Sequence, residues 1–578
     1  MSALWQGVPS LPSDSSPEAT GAPAEGAEGE AKDETGAANP ALDVKPETET
    51  SGDEERRQIT GRAGVVAAGT LASRGLGLVR DQVLAGIFTR AETDAFFVAF
   101  LLPNVLRQLL AEGAVQTAVL PVLAETREKH GEAEAKRFFR AMRGLSLTIL
   151  LIVSVAGVVG APYLVELFAG GYHQYPGQFE RTVSLARWVF PYIFFMGTAA
   201  LGVAALNTYR RFVATSFAPA LLNVAFIVFA LALPGWLGAR GYERILAMAF
   251  GALIGGVLQV VAQWPSLRAI GYLERPSFDF RHPGVRQALK RMGPVLIGVG
   301  VYYVDVILAR RFLSELDLGA QSYFAYALRL CDFPQGIFVM ALQTATLPSL
   351  ALLFARGERE EVAKTFAYGM RLALFVGFAA TAGVVGLAEP LVVLIFQRGE
   401  FDAQSAHETA RSLMALGLHI WMVAAVRQLV SVFYAMGDTR TPVIVAALDL
   451  AAFVVLALLL RGPFGHVGVS LAVAGSSGVQ MVLLWYWLGK RLGHLGNFEI
   501  LKSAARSALA ALLAAGAGYW LASLVKSGVG GDWFSRLLPG LAGTTAFCAV
   551  FLVVARLIGS EELTAIGRPL LRRLRRRG

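Results

Sequence analysis

The sequence contains few of the residues that stabilise small secreted proteins or cover the surface of soluble ones. It has two cysteines among 578 residues, and only 16% of its residues are charged. So few cysteines exclude a scaffold built on several disulfides, and a soluble domain is ordinarily about 25% charged. Both cysteines, Cys331 and Cys548, fall in apolar stretches without metal-ligating neighbours, and we expect them to be inert packing residues.

Apolar residues are abundant, and charge is distributed unevenly along the chain. Hydrophobic residues make up 55% of the sequence, and the mean hydropathy is +0.52. The net charge is +9, although residues 1–55 hold thirteen acidic residues against two lysines. This composition predicts a membrane protein with an acidic N-terminal tail and a basic body.

The N-terminal tail, residues 1–60, is rich in Pro, Gly, Ala, Glu and Ser and has almost no large apolar residue after Leu11. Such a segment cannot bury enough apolar surface to offset the entropy lost on ordering, so we predict that it is disordered and cytoplasmic. It lacks the basic start and apolar core of a signal peptide.

From Arg62 onward, apolar runs of helical length recur as far as Ile558. A helix needs about 20 apolar residues to cross a bilayer, whereas barrel strands would alternate over about ten residues. We therefore predict an all-α polytopic membrane protein with fourteen transmembrane helices. Their approximate bounds are 63–88, 93–123, 141–168, 183–207, 212–233, 245–264, 289–313, 322–354, 368–397, 407–435, 440–460, 466–489, 501–525 and 536–558.

The orientation and domain order follow from the positions of the basic residues. Arginine and lysine are concentrated in the loops 124–143 and 265–291 and in the C-terminal tail, which predicts that both termini are cytoplasmic. The long 265–291 interruption separates six helices from eight. The predicted order is a disordered tail (1–60), an N-lobe (61–264), a cytoplasmic linker (265–288), a C-lobe (289–500), two further helices (501–560) and a basic tail (561–578).

Polar residues inside the apolar spans are the candidate functional positions. A charged side chain at the centre of a bilayer costs roughly 2.5–3.5 kcal/mol on insertion scales, so it should face the bundle interior. Such residues could form structural ion pairs that hold helices together. If the arginines converge instead, their planar guanidinium groups suit a phosphate-bearing ligand. The residues are Arg74, Arg80 and Asp81 in the first span, Asn104, Arg107 and Glu112 in the second, and Arg329 in the eighth.

The sequence has no signature of an enzyme. It contains no Gly-x-Ser-x-Gly, no His-Glu-x-x-His and no Gly-x-x-x-x-Gly-Lys phosphate loop. Without an ATP site, transport would have to be driven by a gradient, by the membrane potential or by substrate turnover. We therefore predict a protein that is not an enzyme.

Several ordered motifs resemble one family. They are SRGLGLVRD (73–81), TDAFFVAFLLPNVLRQLLAEG (93–113), AVLPVLAE (118–125), FQRGEF (396–401) and FYAMGDTRTP (433–442). Together they resemble the MurJ (MviN) family of lipid II flippases, within the MOP exporter superfamily. The resemblance extends over residues 62–560.

This resemblance implies two lobes around a cationic cavity and transport by alternating access. The implied substrate is lipid II, the undecaprenyl-pyrophosphate-linked disaccharide-pentapeptide used for peptidoglycan synthesis at the bacterial inner membrane. The family's functional arginines match Arg74, Arg80, Arg107 and Arg329, and its acids match Asp81 and Glu112. Its last two helices form a groove for the lipid tail. Many members carry an acidic or amide residue where this chain has Leu328, beside Arg329.

The resemblance also implies ligands beyond the substrate. Asp305 matches an acidic residue of a cation site in the family's C-lobe, and Asp449 is a looser match. Sodium or another monovalent ion would be the only cofactor. The implied partners are membrane lipids and cell-wall synthesis proteins, and not nucleic acid.

Three other functions are compatible with the sequence. A flippase for another undecaprenyl-linked glycan would use the same chemistry. A drug or cation antiporter of the same superfamily should have a more acidic cavity, which the arginines disfavour. A non-transporting membrane scaffold would need only the tail and the helical bundle.

Overall fold

The computed structural model describes residues 48–108, 115–336, 340–493, 495–528 and 533–567. Most of the predicted disordered tail, the candidate Glu112 and the end of the basic tail lie outside these ranges. The chain divides into two units, Met1–Ile59 and Thr60–Gly578, and the features described below belong to the second.

The described residues are helical almost throughout and include no strand, in agreement with the predicted all-α fold. The first ten helices are α1 (Thr48–Ile87), α2 (Arg90–Arg107), α3 (Gln116–Val159), α4 (Ala161–Ala169), α5 (Gln178–Val189), α6 (Tyr192–Thr208), α7 (Phe212–Ala232), α8 (Pro234–Ala239), α9 (Leu246–Ala269) and α10 (Pro283–Ser314). The others are α11 (Ala320–Pro334), α12 (Met340–Ala355), α13 (Arg359–Gly386), α14 (Ala388–Phe396), α15 (Ala403–Gly417), α16 (His419–Ala435), α17 (Arg440–Leu492), α18 (Asn497–Gly528) and α19 (Trp533–Leu557).

Many of these helices have the length and composition of membrane spans. Within the described ranges, nine helical segments are long and apolar enough to cross a bilayer. The longest, α17, has 53 residues and changes direction at Gly465, whose φ of 55° is not helical. This bend falls between the predicted eleventh and twelfth spans.

Residues 124–143, predicted as a loop, are instead part of the long helix α3. The helix is interrupted only at Gly131, where φ is 83°. Helical side-chain contacts support this segment, including an ion pair of 2.8 Å between Lys129 and Glu125, one turn apart. Phe138 is fully buried. The prediction was wrong because a high density of charge was interpreted as the absence of regular structure.

Aromatic packing positions α2 against its neighbours. The Phe100 ring contacts Tyr192 on α6 at 5.6 Å between centroids and Phe226 on α7 at 5.4 Å. Phe96 also meets Phe226 edge to face, at 5.9 Å. Edge-to-face aromatic pairs stabilise the fold by more than the free energy expected from the apolar area that they bury. They hold the second half of α2, which carries Asn104 and Arg107, facing α6 and α7.

The segment between α9 and α10 is an extended linker bound to α3. The Arg143 guanidinium donates to the Glu274 carbonyl at 2.9 Å, and the Ser277 amide donates to the Arg140 carbonyl at 2.9 Å. The approach is so close that a Cβ at Gly144 would lie 1.9 Å from the Ser277 carbonyl oxygen. Only glycine fits at this position.

Gly144→Ala is therefore expected to detach the linker from α3 and to destabilise the protein by about 1–3 kcal/mol, the usual cost of overpacking. Thermal unfolding of the purified protein in detergent should show a lower Tm. Gly293→Ala is the matched control, because nothing lies within 4 Å of a Cβ there and alanine favours helix. An unchanged Tm for Gly144→Ala would contradict the contact.

Candidate functional site

A large cavity lies within the helical bundle. Its volume is about 1130 Å³, which exceeds most small-molecule sites and is large enough for an extended polar head group. Its walls come from α1, α2, α6, α7, α9, α11, α13, α14, α16 and α19. Many elements far apart in the chain therefore meet at one site.

Five of the seven predicted polar residues line this cavity: Arg74, Arg80, Asn104, Arg107 and Arg329. They come from the consecutive helices α1 and α2 and from α11, which begins more than 200 residues further along the chain. The sixth, Asp81, does not line the cavity itself but contacts Arg80, which does. The seventh, Glu112, is outside the described residues. Convergence of the arginines is thus a property of the tertiary structure.

Asp81 is the anion that orders two of these arginines. Its side chain is 3% exposed and accepts from Arg80 Nε at 2.9 Å and from an Arg80 terminal nitrogen at 2.6 Å. Arg329, from α11, donates its Nε to the other carboxylate oxygen at 2.7 Å. Charge-assisted bonds of this kind are the strongest in proteins, and they fix the guanidinium planes. Arg329 thus has a partner on α1, although its own neighbour is Leu328.

Two asparagine side chains give further hydrogen bonds to arginines of the cavity. Asn223 on α7 accepts from Arg80 at 3.3 Å, and its own amide donates to the Ser73 carbonyl at 3.0 Å. Asn104 accepts from Arg107 Nε at 3.0 Å, three residues away on α2. The Arg80 guanidinium also lies 5.4 Å from the centroid of the Phe226 ring. Arg80, Arg107 and Arg329 are therefore held in place before any ligand binds.

The structure adds Asp332 and Arg427 to the cavity wall. Asp332 is exposed to the cavity and interacts electrostatically with Arg329, Arg74 and Arg427. The spacing of Asp332 three residues after Arg329 could have indicated a shared helical face. No local pattern could have linked either residue to Arg427 on α16. With five arginines against one aspartate, the charged part of the described wall is strongly cationic.

The two cysteines differ in environment. Cys331 is fully buried, as expected of a packing residue. Cys548, on α19, is exposed and lines the cavity, so the prediction that it packs internally was wrong. Hydropathy gives the polarity of a span but not which of its faces meets a cavity.

Asp305 and Asp449 do not line the cavity; they form a separate pair between α10 and α17. The two carboxylates are close enough to interact electrostatically, and Asp449 also bonds to Ser476. Each has a buried Oδ1 without a hydrogen-bond partner among the described residues. In the same ranges, no group of three or more His, Cys, Asp and Glu side chains is arranged to bind a metal ion.

A further polar contact joins α2 to the start of α11. The Asp94 side chain is buried and accepts from the Gly319 amide at 2.7 Å and the Ser322 amide at 2.8 Å. The Ser322 hydroxyl donates to the same carboxylate at 2.5 Å. Nearby, Arg90 at the start of α2 forms an ion pair with Asp402 before α15. These contacts link the two halves of the chain on one side of the cavity.

Comparison with known proteins supports the motif-based resemblance. Residues 84–538 match the family described as "Lipid II flippase MurJ". The chain belongs to the lipid II flippase MurJ family. A lipid II flippase MurJ of Burkholderia cenocepacia is 33% identical over 467 residues, covering 79% of this chain and 89% of that protein. A relative from Rhizobium meliloti is 32% identical over 523 residues, covering 88% of this chain and 95% of its own length.

Solved structures agree on the fold. A lipid II flippase MurJ in an inward closed conformation has a TM-score of 0.70 at 21% identity, covering 85% of this chain and 98% of that one. An inward-facing MATE multidrug transporter of the MOP superfamily has a TM-score of 0.61 at 16% identity, covering 73% and 95% respectively. The family is one of transporters and not of catalysts. Family membership and the apolar helices identify a multi-pass protein of the bacterial inner membrane.

Proposed function

We propose that this protein is a lipid II flippase, which moves an undecaprenyl-pyrophosphate-linked peptidoglycan precursor across the cytoplasmic membrane by alternating access. The observation that carries the proposal is the convergence of Arg74, Arg80, Arg107 and Arg329 on one cavity in a chain of the MurJ family. The substrate assignment rests on the family, and the chemistry of the cavity agrees with it.

The physical problem is the pyrophosphate. An ionised group that has lost its hydration shell is too costly to move through hydrocarbon, so it must be enclosed by protein groups that replace its hydration. Guanidinium groups do so with paired donors that match phosphate oxygens. Arg329 commits its Nε to Asp81 while its side chain remains 46% exposed, so its terminal nitrogens are available to the cavity.

For the tail, we propose a route along the apolar part of the same cavity. Residues on α13, α14 and α19 continue the wall away from the arginines, among them Gly383, Leu387, Leu391 and Phe547. An isoprenoid chain would stay in contact with these side chains and with lipid while the head group moves. The resemblance implies a groove between the last two helices, and of these α19 contributes residues to the described wall of the cavity.

The topology is part of the same proposal. Fourteen crossings, an N-lobe of six helices and a C-lobe of eight, and two cytoplasmic termini would let the lobes rock about the cavity. The linker that follows α9 would join them on the cytoplasmic side. The extra-membrane tails would contact membrane lipids or cell-wall synthesis proteins.

We also propose a monovalent cation, such as sodium, at Asp305 and Asp449. Two half-buried carboxylates, each with one buried oxygen that has no partner among the described residues, lie beside a serine hydroxyl and fit a small cation bound by oxygen ligands. Bound there, the ion would neutralise the repulsion between the two acids. Asp305 and Asp449 themselves would hold α10 and α17 together only when the charge between them is balanced.

The test of the flippase is complementation of a bacterium depleted of its own lipid II flippase. Arg80→Lys and Arg329→Lys keep the charge but lose the forked donor geometry, and we expect each to reduce flipping at least tenfold. Lipid II accessibility at the outer leaflet is the readout, with expression verified in the membrane. Growth supported by both Arg80→Ala and Arg329→Ala would show that the cavity is not the transport site.

Cys548 offers a direct test of cavity occupancy. It is exposed at the wall, whereas Cys331 is buried, so a maleimide should label Cys548 selectively. Lipid II should slow this labelling, and Cys548→Ser should abolish the signal. Competition by a different undecaprenyl-linked glycan at equal concentration would identify the other flippase function instead. Labelling that no such lipid slows would argue for the non-transporting scaffold.

A further inference from the structure

One wall of the cavity is polar but uncharged. The arginines and Asp332 line it from α1, α2, α11 and α16, whereas no described lining residue from α6, α7 or α9 is charged. Most of the polar side chains that α7 and α9 contribute to the lining are carboxamides, namely Asn223, Gln259 and Gln263. The cavity thus has a cationic part and a neutral part.

Gln259 and Gln263 lie one turn apart on the same face of α9. They are 3% and 1% exposed, respectively. The Gln259 Nε2 and both amide atoms of Gln263 have no hydrogen-bond partner among the described residues. Asn223 differs, because its amide is bonded to Ser73 and Arg80. Buried amides are nearly always paired, so two neighbouring unpaired ones in a cavity wall require a reason.

The surroundings do not supply the missing partners. The neighbouring α6 lines the cavity with Ala199, Ala200 and Val203, which have no polar side chain, and with Tyr192, to which the unpaired amide atoms of the glutamines are not bonded. At Gly202 a Cβ would lie 2.3 Å from the Gln263 Oε1, so the absence of a side chain there leaves room for the amide. Small residues on α6 therefore accommodate the glutamines without satisfying them.

We propose that Gln259 and Gln263 form a neutral hydrogen-bonding subsite for hydroxyl or amide groups of the transported head group. A carboxamide both donates and accepts, which suits sugar hydroxyls and peptide groups and gives no advantage to a bare pyrophosphate. The arginines bind the pyrophosphate, and the glutamines recognise what is attached to it. This inference rests on the proposed flippase function and refines its specificity.

The test compares lipids that share the pyrophosphate and the tail but differ in the head group. The probes are undecaprenyl pyrophosphate, the undecaprenyl-pyrophosphate-linked disaccharide without peptide, and lipid II, each titrated against the full-length protein in nanodiscs. For Gln259→Leu with Gln263→Leu, we expect lipid II to bind about tenfold more weakly, since two hydrogen bonds are lost. Undecaprenyl pyrophosphate should bind within twofold of its wild-type affinity. The disaccharide lipid identifies the group that is contacted. If the double variant loses as much affinity for it as for lipid II, the glutamines contact the sugar; if it loses none, they contact the peptide.

Two controls separate recognition from structure. Gln428→Leu removes another buried glutamine with an unpaired Nε2, on α16 and outside the cavity lining, and should leave all three affinities unchanged. Arg329→Ala should weaken all three lipids together. The glutamine variants should keep or raise the Tm, because leucine removes unpaired polar atoms from a buried site. The single Gln259→Leu variant is measured alongside, in case the double variant folds poorly.

If the glutamine variants lost equal affinity for undecaprenyl pyrophosphate and for lipid II, the proposed subsite would be overturned, because the glutamines would then only support the shape of the cavity. Unchanged affinity for lipid II would overturn it as well. A wild-type protein that binds none of the three lipids would instead overturn the flippase proposal, and the subsite with it. The two failures are therefore distinguishable.

Discussion

Replacing Asp81 with leucine is expected to abolish complementation and to destabilise the protein by about 3 kcal/mol, the cost of leaving buried charge unpaired. Asp81 is the carboxylate that binds Arg80 and Arg329 simultaneously, from α1 and α11. Without it, two cations face each other at the cavity wall with no anion between them. Asp81→Leu should lower complementation and stability more than replacement of either arginine alone, because both guanidinium groups then lose their orientation.

The experiment separates charge from shape. Asp81→Asn keeps the size and part of the hydrogen bonding, so we expect an intermediate Tm but still a severe loss of flipping. Glu361→Ala is the matched control, since Glu361 pairs with Lys364 on an exposed surface where ion pairs contribute little. Membrane levels and Tm are measured with complementation. Full activity of Asp81→Leu would disprove the role assigned to this carboxylate.

Asp94→Ala is expected to weaken the contact between α2 and α11 by about 3 kcal/mol. Three donors, the amides of Gly319 and Ser322 and the Ser322 hydroxyl, would lose their common acceptor in a buried position. The carboxylate also stabilises the positive end of the α11 dipole. If the lobes rock, this contact must form and break in each cycle, so its loss should shift the population towards the separated state.

Distances between spin labels can detect that shift. Labels at the exposed Glu180, on α5, and Ala403, on α15, report on the two sides of the contact in a Cys548→Ser background. Asp94→Ala should give longer distances and a lower flipping rate. Ser322→Ala removes only one of the three donors and should cost about 1 kcal/mol with a smaller shift. An unaltered distance distribution in Asp94→Ala would contradict the idea that this contact controls opening.

Much of the architecture was predictable because it depends on local composition. Apolar runs of about 20 residues must be helical in a bilayer, since no other structure pairs the backbone there. Arginines within such runs are costly, which marked Arg74, Arg80, Arg107 and Arg329 as functional candidates. The same reasoning failed for residues 124–143, where charged side chains cover a helix instead of a loop.

The sequence by itself determined the membrane environment, the helical class, the family and the identity of the cationic residues, because each is encoded in residues near one another along the chain. Only the tertiary structure decided that Asp81 on α1 pairs with Arg329 on α11. It also decided that Gln259 and Gln263 line the same cavity with amide atoms that have no partner in the described part of the chain. It also placed Cys548 at the cavity wall. These contacts depend on which faces of helices distant in the chain come together, and hydropathy does not distinguish one face of an apolar helix from another.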